Sequence, residues 1–266
     1  MEIKMDKVDF NYGNGLVLHQ IELLLKKPGL VCIMGPNGVG KSTLIRCINK
    51  IISPTGGNLY IDGKDIKELQ YKDLAKEMGY VPVSSADAFP MTVFDTVLMG
   101  RHPHSGKDTK EEDLEIAYEC MERLDVEDLA MRNFNELSSG QRQKVAIARG
   151  LAQEPKMLIL DEPTSNLDVR YQMVVAGLLR ELSRERRITV LMISHDINIS
   201  TKYADEIIVM SKPGVICKVG HPNDVITKEL IADVYGVDCD IVKIRDRPHV
   251  ILLDPLDEIG RRINFF

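Results

Sequence analysis

The run Gly35-Pro36-Asn37-Gly38-Val39-Gly40-Lys41-Ser42 fits the pattern G-x-x-x-x-G-K-[ST] without deviation. Its glycines let a backbone loop wrap closely around phosphate oxygens, with successive N–H groups aimed inward. Lys41 adds a full positive charge against those oxygens, and the Ser42 hydroxyl is a hard ligand suited to Mg2+. A second reactive pair, Asp161-Glu162, closes the apolar run Met157-Leu158-Ile159-Leu160. There Asp161 can hold Mg2+ through water, and Glu162 is placed to polarise an attacking water as general base. A third group, Leu137-Ser138-Ser139-Gly140-Gln141, precedes a helical pattern, so its N–H groups and the Ser138 hydroxyl form an anion site at a helix N-terminus. Each group has a plainer reading: a glycine-rich turn, a solvated strand end, an N-capped helix. Their joint presence in one chain favours the chemical one.

The elements around these groups must place them together. Short apolar runs alternate with longer amphipathic ones, as in an α/β domain. Strands are expected at 30–34, 58–61, 157–160, 189–193 and 207–210. The runs 30–34, 157–160 and 189–193 are apolar almost throughout, as central parallel strands buried on both faces should be. The strand at 30–34 and a helical pattern at 42–50 flank the glycine-rich loop, the context a phosphate-binding loop requires. Alternating stretches at 3–10 and 16–25 suggest an antiparallel β layer over one side of the core. Between about 94 and 153 helical patterns replace strands, at 93–99, 110–124 and 141–152, which reads as an inserted helical lobe. The charge-rich run 107–113 within it reads as a helix start, where carboxylates favour the helix dipole. After Tyr235 two short strands are expected, at 240–244 and 249–253, separated by Arg245-Asp246-Arg247-Pro248.

The chain has 266 residues, 44% of them apolar, enough for one large core with an inserted lobe. A net charge of −6 argues against a general nucleic-acid binder, which needs concentrated Lys and Arg. The five cysteines form neither a C-x-x-C pair nor a zinc-type spacing with His, so all are expected as reduced thiols. The charged N-terminus lacks the apolar stretch of a signal peptide, and no window approaches the roughly eighteen apolar residues of a spanning helix. A soluble chain is expected, with any membrane role exercised through a partner.

Taken in order, these groups resemble the ABC (ATP-binding-cassette) ATPases. Leu137-Ser138-Ser139-Gly140-Gln141 is similar to the LSGGQ signature of that family, with Ser139 in place of its first glycine. Pro163-Thr164-Ser165-Asn166-Leu167-Asp168 resembles the D-loop, and Ser194-His195-Asp196, after the strand at 189–193, the switch-histidine loop. Tyr12 stands where the family carries an aromatic that stacks on adenine. The resemblance implies a P-loop NTPase fold of RecA-like type with ATP and Mg2+ as cofactors. It implies ATP binding by Tyr12 and by Gly35, Pro36, Asn37, Gly38, Val39, Gly40, Lys41, Ser42 and Thr43. It implies catalytic roles for Lys41, Glu162 and His195, and metal binding by Ser42 and Asp161. In the family's dimer, Ser138, Ser139, Gly140, Gln141 and Asp168 complete the ATP site of a second copy.

One position departs from the family: Tyr80-Val81-Pro82 is followed by Val83, where a glutamine usually reaches the metal. Either a magnesium ligand is lost, or a neighbour such as Ser84 replaces it. The likeness spans 1–235, divided into a core of 1–83 and 154–235 and a helical lobe of 84–153, with 236–266 as an extension. The segment from Phe89 to His104 and the later Asp246-Arg247-Pro248-His249-Val250 are similar to importers of iron chelates, haem and cobalamin. That implies a homodimer on two transmembrane permease subunits at the cytoplasmic face of the membrane, with an extracellular binding protein upstream and no nucleic-acid partner. The rival readings are a soluble ABC ATPase acting on nucleic acid or the ribosome, and a hydrolysis-impaired nucleotide-binding module.

Overall fold

The structure is a computed structural model that describes residues 1–13, 15–83, 91–105, 109–165, 167–257 and 260–263. Ser84, Phe89, Pro90, Lys107, Asp108 and Asn166, each part of an expectation above, lie outside the described residues.

The N-terminal third forms an antiparallel sheet from β1 (Ile3–Tyr12), β2 (Gly15–Leu25), β4 (Gly56–Ile61) and β5 (Lys64–Asp65), in the order β2-β1-β4-β5. Next to it lies a six-stranded sheet ordered β10-β9-β3-β8-β7-β6. Its strands are β3 (Gly29–Met34), β6 (Met78–Val81), β7 (Met157–Leu160), β8 (Thr189–Ile193), β9 (Glu206–Ser211) and β10 (Val215–Gly220). All neighbouring pairs are parallel except β9 with the edge strand β10.

Side chains alternate across a strand, so each central strand feeds two cores. Val31, Ile33, Ile159, Leu191 and Ile193 face the antiparallel layer and α1 (Lys41–Ile48). Leu30, Cys32, Leu158, Leu160, Val190 and Met192 face the opposite side. There they pack with the helical segment and with α6 (Val169–Glu185). Burial on both faces, worth about 1.5–3 kcal/mol for each large aliphatic side chain, explains the unbroken apolar runs.

The helical segment between β6 and β7 contains α3 (Val93–Leu98), α4 (Glu111–Arg123) and α5 (Ser139–Leu151), which pack on one another. α4 opens with Glu111, Glu112 and Asp113, and the Asp113 carboxylate accepts from the Lys110 backbone N–H, consistent with a helix start in this charged run. Arg101 is buried behind α4 and ties the segment together. Its Nε donates to Asp113 at 2.9 Å, and its Nη1 donates to Glu154 at 2.8 Å and to the Ala152 carbonyl at 2.7 Å. α2 (Tyr71–Glu77) leads into β6. After the large sheet come α7 (Ile197–Tyr203), α8 (Pro222–Val225), α9 (Lys228–Tyr235) and a hairpin of β11 (Val237–Ile244) and β12 (Arg247–Pro255). That hairpin turns on Arg245 and Asp246 alone, both at positive φ, so both strands run longer than the sequence suggests.

Candidate functional site

The loop between β3 and α1 is held by two glycines whose role is steric. A Cβ on Gly35, at φ +146°, would meet the Met210 carbonyl oxygen at 2.2 Å, and one on Gly40, at φ +97°, would meet the Val17 carbonyl at 2.8 Å. Only glycine allows the loop to lie this close to β9 and β2. Gly40 precedes α1 without any side-chain cap, and the first turn carries no acidic residue. Its leading N–H groups are therefore open to an anion. Pro36, Asn37 and Gly38 form the rim, Asn37 and Gly38 being exposed, while Val39 and Thr43 are buried beneath it. Lys41 is 6% exposed, and its Nζ donates to the carbonyls of Gly35 at 2.8 Å and Pro36 at 2.9 Å. Burial lowers its pKa, while the nearby charges of Glu162 and Asp161 favour the protonated form.

β7 lies beside β8, and their carboxyl ends bring the remaining groups to the same sheet edge. The Ser42 hydroxyl donates to Asp161 at 3.0 Å. Asp161 is buried; burial raises its pKa against the Ser42 hydrogen bond, and the Glu162 charge raises it further. Glu162 sits at φ +52°, an uncommon conformation for a residue with a side chain. Its carboxylate lies 2.7 Å from His195 Nε2, and its carbonyl accepts from the Ser165 hydroxyl at 2.8 Å. A cavity of about 320 Å3 opens beside this pair, lined by Glu162, Thr164, Ser165, Gln172, His195 and Asp196. It has room for water next to a carboxylate and an imidazole.

Ser42 and Asp161 fit Mg2+: a hydroxyl and a carboxylate at one point leave most of an octahedral shell to phosphate oxygens and water. Among the described residues no group of three or more His, Cys, Asp or Glu could hold a metal by itself, so the site is not an all-protein cage.

Other expected residues stand apart from this cluster. Ser138 is the exposed N-cap of α5, its hydroxyl accepting from the Gln141 N–H and its own N–H donating to the Gln141 side chain. The helix therefore begins at Ser139, two residues before the expected 141, because this reciprocal capping extends it backwards. Gly140 is covered by the ring of Tyr171, which a Cβ there would meet at 3.1 Å. Asp168 is the N-cap of α6, accepting from the Tyr171 N–H at 3.0 Å. Tyr12 ends β1 half-exposed, edge-on to Phe10 with ring centres 4.8 Å apart. Val83 is 42% exposed just past β6.

Two residues at the site escaped the sequence reading. The Tyr80 hydroxyl lies 3.5 Å from Asp161, and the Arg46 guanidinium lies within hydrogen-bond reach of both Tyr12 and Tyr80. Arg46 is four residues after Ser42, hence on the same face of α1, and that spacing is the signal that could have found it.

Residues 18–165 match the family model described as ABC transporter. An uncharacterized ABC transporter ATP-binding protein of Methanocaldococcus jannaschii is 44% identical over 94% of this chain and 98% of its own length. A hemin import ATP-binding protein of Escherichia coli is 40% identical over 80% of this chain and 84% of its own. Among solved structures, an inward-facing ABC transporter assigned to the metal-chelate type superposes with a TM-score of 0.82 at 29% identity, covering 94% of this chain and 96% of that one. The chain belongs to the ABC transporter ATP-binding family, with the P-loop NTPase fold. It is an ATP hydrolase coupled to transport, similar to the ATP-binding subunits of siderophore, haem and cobalamin importers.

Proposed function

We propose that this chain powers import of a metal chelate of the iron-siderophore, haem or cobalamin class through a separate permease. It works as a dimer at the cytoplasmic face of the membrane, on two permease subunits supplied by an extracellular binding protein. No described helix is long and apolar enough to cross a membrane, which is in keeping with a separate permease. The observation that carries the reading is the convergence at one sheet edge of Lys41, the Ser42–Asp161 contact and the Glu162–His195 contact. It gives a phosphate anchor, a place for Mg2+ and a base beside a cavity.

In this reading ATP lies along the loop from Gly35 to Ser42, its adenine against Tyr12. Mg2+, held by Ser42 and Asp161, would supply charge neutralisation at the phosphates. Glu162 accepts a proton from a water attacking the γ-phosphorus as the bond to the β,γ-bridging oxygen breaks, and His195 fixes the Glu162 carboxylate. Ser138, Ser139, Gly140, Gln141 and Asp168 serve the ATP of the second copy. Support comes from α5, whose Ser138 and Ser139 are exposed, Ser138 being engaged by Gln141 of its own helix.

The test is to co-express the chain with a permease encoded beside it and purify through the permease. A stable complex that hydrolyses ATP faster when the loaded binding protein is added is expected. A chain that never associates with a membrane subunit would overturn the importer reading, leaving the hydrolase intact.

A further inference from the structure

A cavity of about 510 Å3 lies between α6, α7 and the turn of the C-terminal hairpin, a volume suited to a small organic molecule. Its rim is cationic: Arg180 from α6, Lys202 from α7, and Arg245 and Arg247 from the hairpin. Apolar side chains line it too, Met173, Ile199 and Pro248 among them.

The basic groups are poorly answered by acids. Arg180 Nε is fully buried and has no hydrogen-bond partner among the described residues. Arg247 donates once, to the Ala204 carbonyl at 2.8 Å. Burial, together with the charges of Arg180 and Arg184, disfavours its protonated form, with Asp205 alone acting in its favour. That carboxylate is already shared between Arg184 at 3.1 Å and the Leu30 N–H at 3.0 Å. Asp196 lines the cavity too, yet its side chain caps α7 by accepting from the Ile199 N–H at 2.8 Å. Four basic side chains thus share the cavity with a single carboxylate, that of Asp196.

We propose that this cavity binds a small organic anion with an apolar body. Its carboxylate, sulfonate or phosphate head meets Arg180 and Arg247, and its body rests on Met173, Ile199 and Pro248. The site neighbours the cavity beside Glu162 and His195, Asp196 lining both, and its walls are well fixed. Asn198, at the start of α7, clamps β12 by donating to the Val250 carbonyl at 3.1 Å and accepting the Val250 N–H at 2.8 Å.

The experiment titrates the full chain, with saturating Mg-ADP, using the fluorescent anion anilinonaphthalenesulfonate. Phenylnaphthylamine, which has the same rings without the sulfonate, is the neutral control. Saturable binding of the sulfonate is expected, weakened about tenfold by Arg180→Gln or Arg247→Gln, as for loss of a charge-assisted hydrogen bond. Arg180→Lys should retain most of the affinity. Arg245 is exposed at the hairpin turn, so Arg245→Gln leaves the fold alone and should weaken the sulfonate about threefold, as an exposed charge does. The neutral probe should respond to none of these. The proposal is overturned if Arg180→Gln and Arg245→Gln bind the sulfonate like the parent, or if the neutral probe binds as tightly as the charged one.

Discussion

Replacing Lys41 by alanine separates a phosphate anchor from a lysine that merely closes its own loop. Without nucleotide, Nζ makes two short hydrogen bonds, to the carbonyls of Gly35 and Pro36. Each charge-assisted bond is worth about 1.5–3 kcal/mol, so binding gains only what phosphate oxygens offer beyond these two carbonyls. Full charges on the phosphates exceed the carbonyl dipoles, and a net gain of about 2–3 kcal/mol follows, or roughly 30–150-fold in affinity. Stability moves less. The variant loses two bonds but also removes a cation whose burial is unfavourable, leaving a loss of about 1–2 kcal/mol and a melting temperature lower by a few degrees. Calorimetric titration of Lys41→Ala with a non-hydrolysable ATP analogue and Mg2+, beside a thermal melt without nucleotide, measures both. Unchanged affinity with a lowered melting temperature would refute the anchor and leave Lys41 as a structural staple.

A valine has no lone pair to offer a metal, so Val83→Gln is expected to raise the hydrolysis rate and steepen its dependence on Mg2+ concentration. If both stay unchanged, a compensating ligand is present, and Ser84→Ala is the next substitution to measure. Asp113→Asn strips the buried Arg101 of its one buried carboxylate, Glu154 being half-exposed. Unfolding free energy at neutral pH should drop by about 3 kcal/mol, the low end for breaking a buried pair, because Glu154 remains. The Ser105 hydroxyl and Arg101 hold the Asp113 carboxyl down to about 2 from 3.8, so its contribution is complete above about pH 4 and lost as pH falls through about 2. Denaturant titrations of parent and variant should therefore converge below pH 4, and a gap independent of pH would contradict the ion pair.

The parts of the fold that could be read from sequence share a physical property. The strands Met157–Leu160 and Thr189–Ile193 have the boundaries expected of them, because burial on both faces fills them with apolar residues, Thr189 being the one polar side chain. Strand β6 was not anticipated: Gly79 interrupts its short apolar run, and its glycine is demanded by the Gly150 carbonyl, which a Cβ would meet at 2.9 Å. The edge strand β10 is half-exposed and carries Lys218, so its pattern resembles a loop. Helix α6 went unread although Val175, Ala176, Leu179 and Leu182 mark a buried stripe at helical spacing. At the site, contiguous motifs located the glycine-rich loop, Asp161-Glu162 and His195. Arg46 on α1 meets Tyr12 at the end of β1 and Tyr80 on β6, positions far apart in sequence, so no linear motif records that meeting.

The central claim is that Glu162 is the base of an ATP hydrolase and His195 its support. The direct measurement is phosphate release by Glu162→Gln under saturating Mg-ATP, with ATP affinity determined on the same sample. The amide keeps the size of the side chain and removes its basicity. Affinity should stay within a few-fold of the parent, while the rate falls by roughly two to four orders of magnitude, the range for loss of a general base. A Glu162→Gln chain that releases phosphate at the parent's rate would contradict the account.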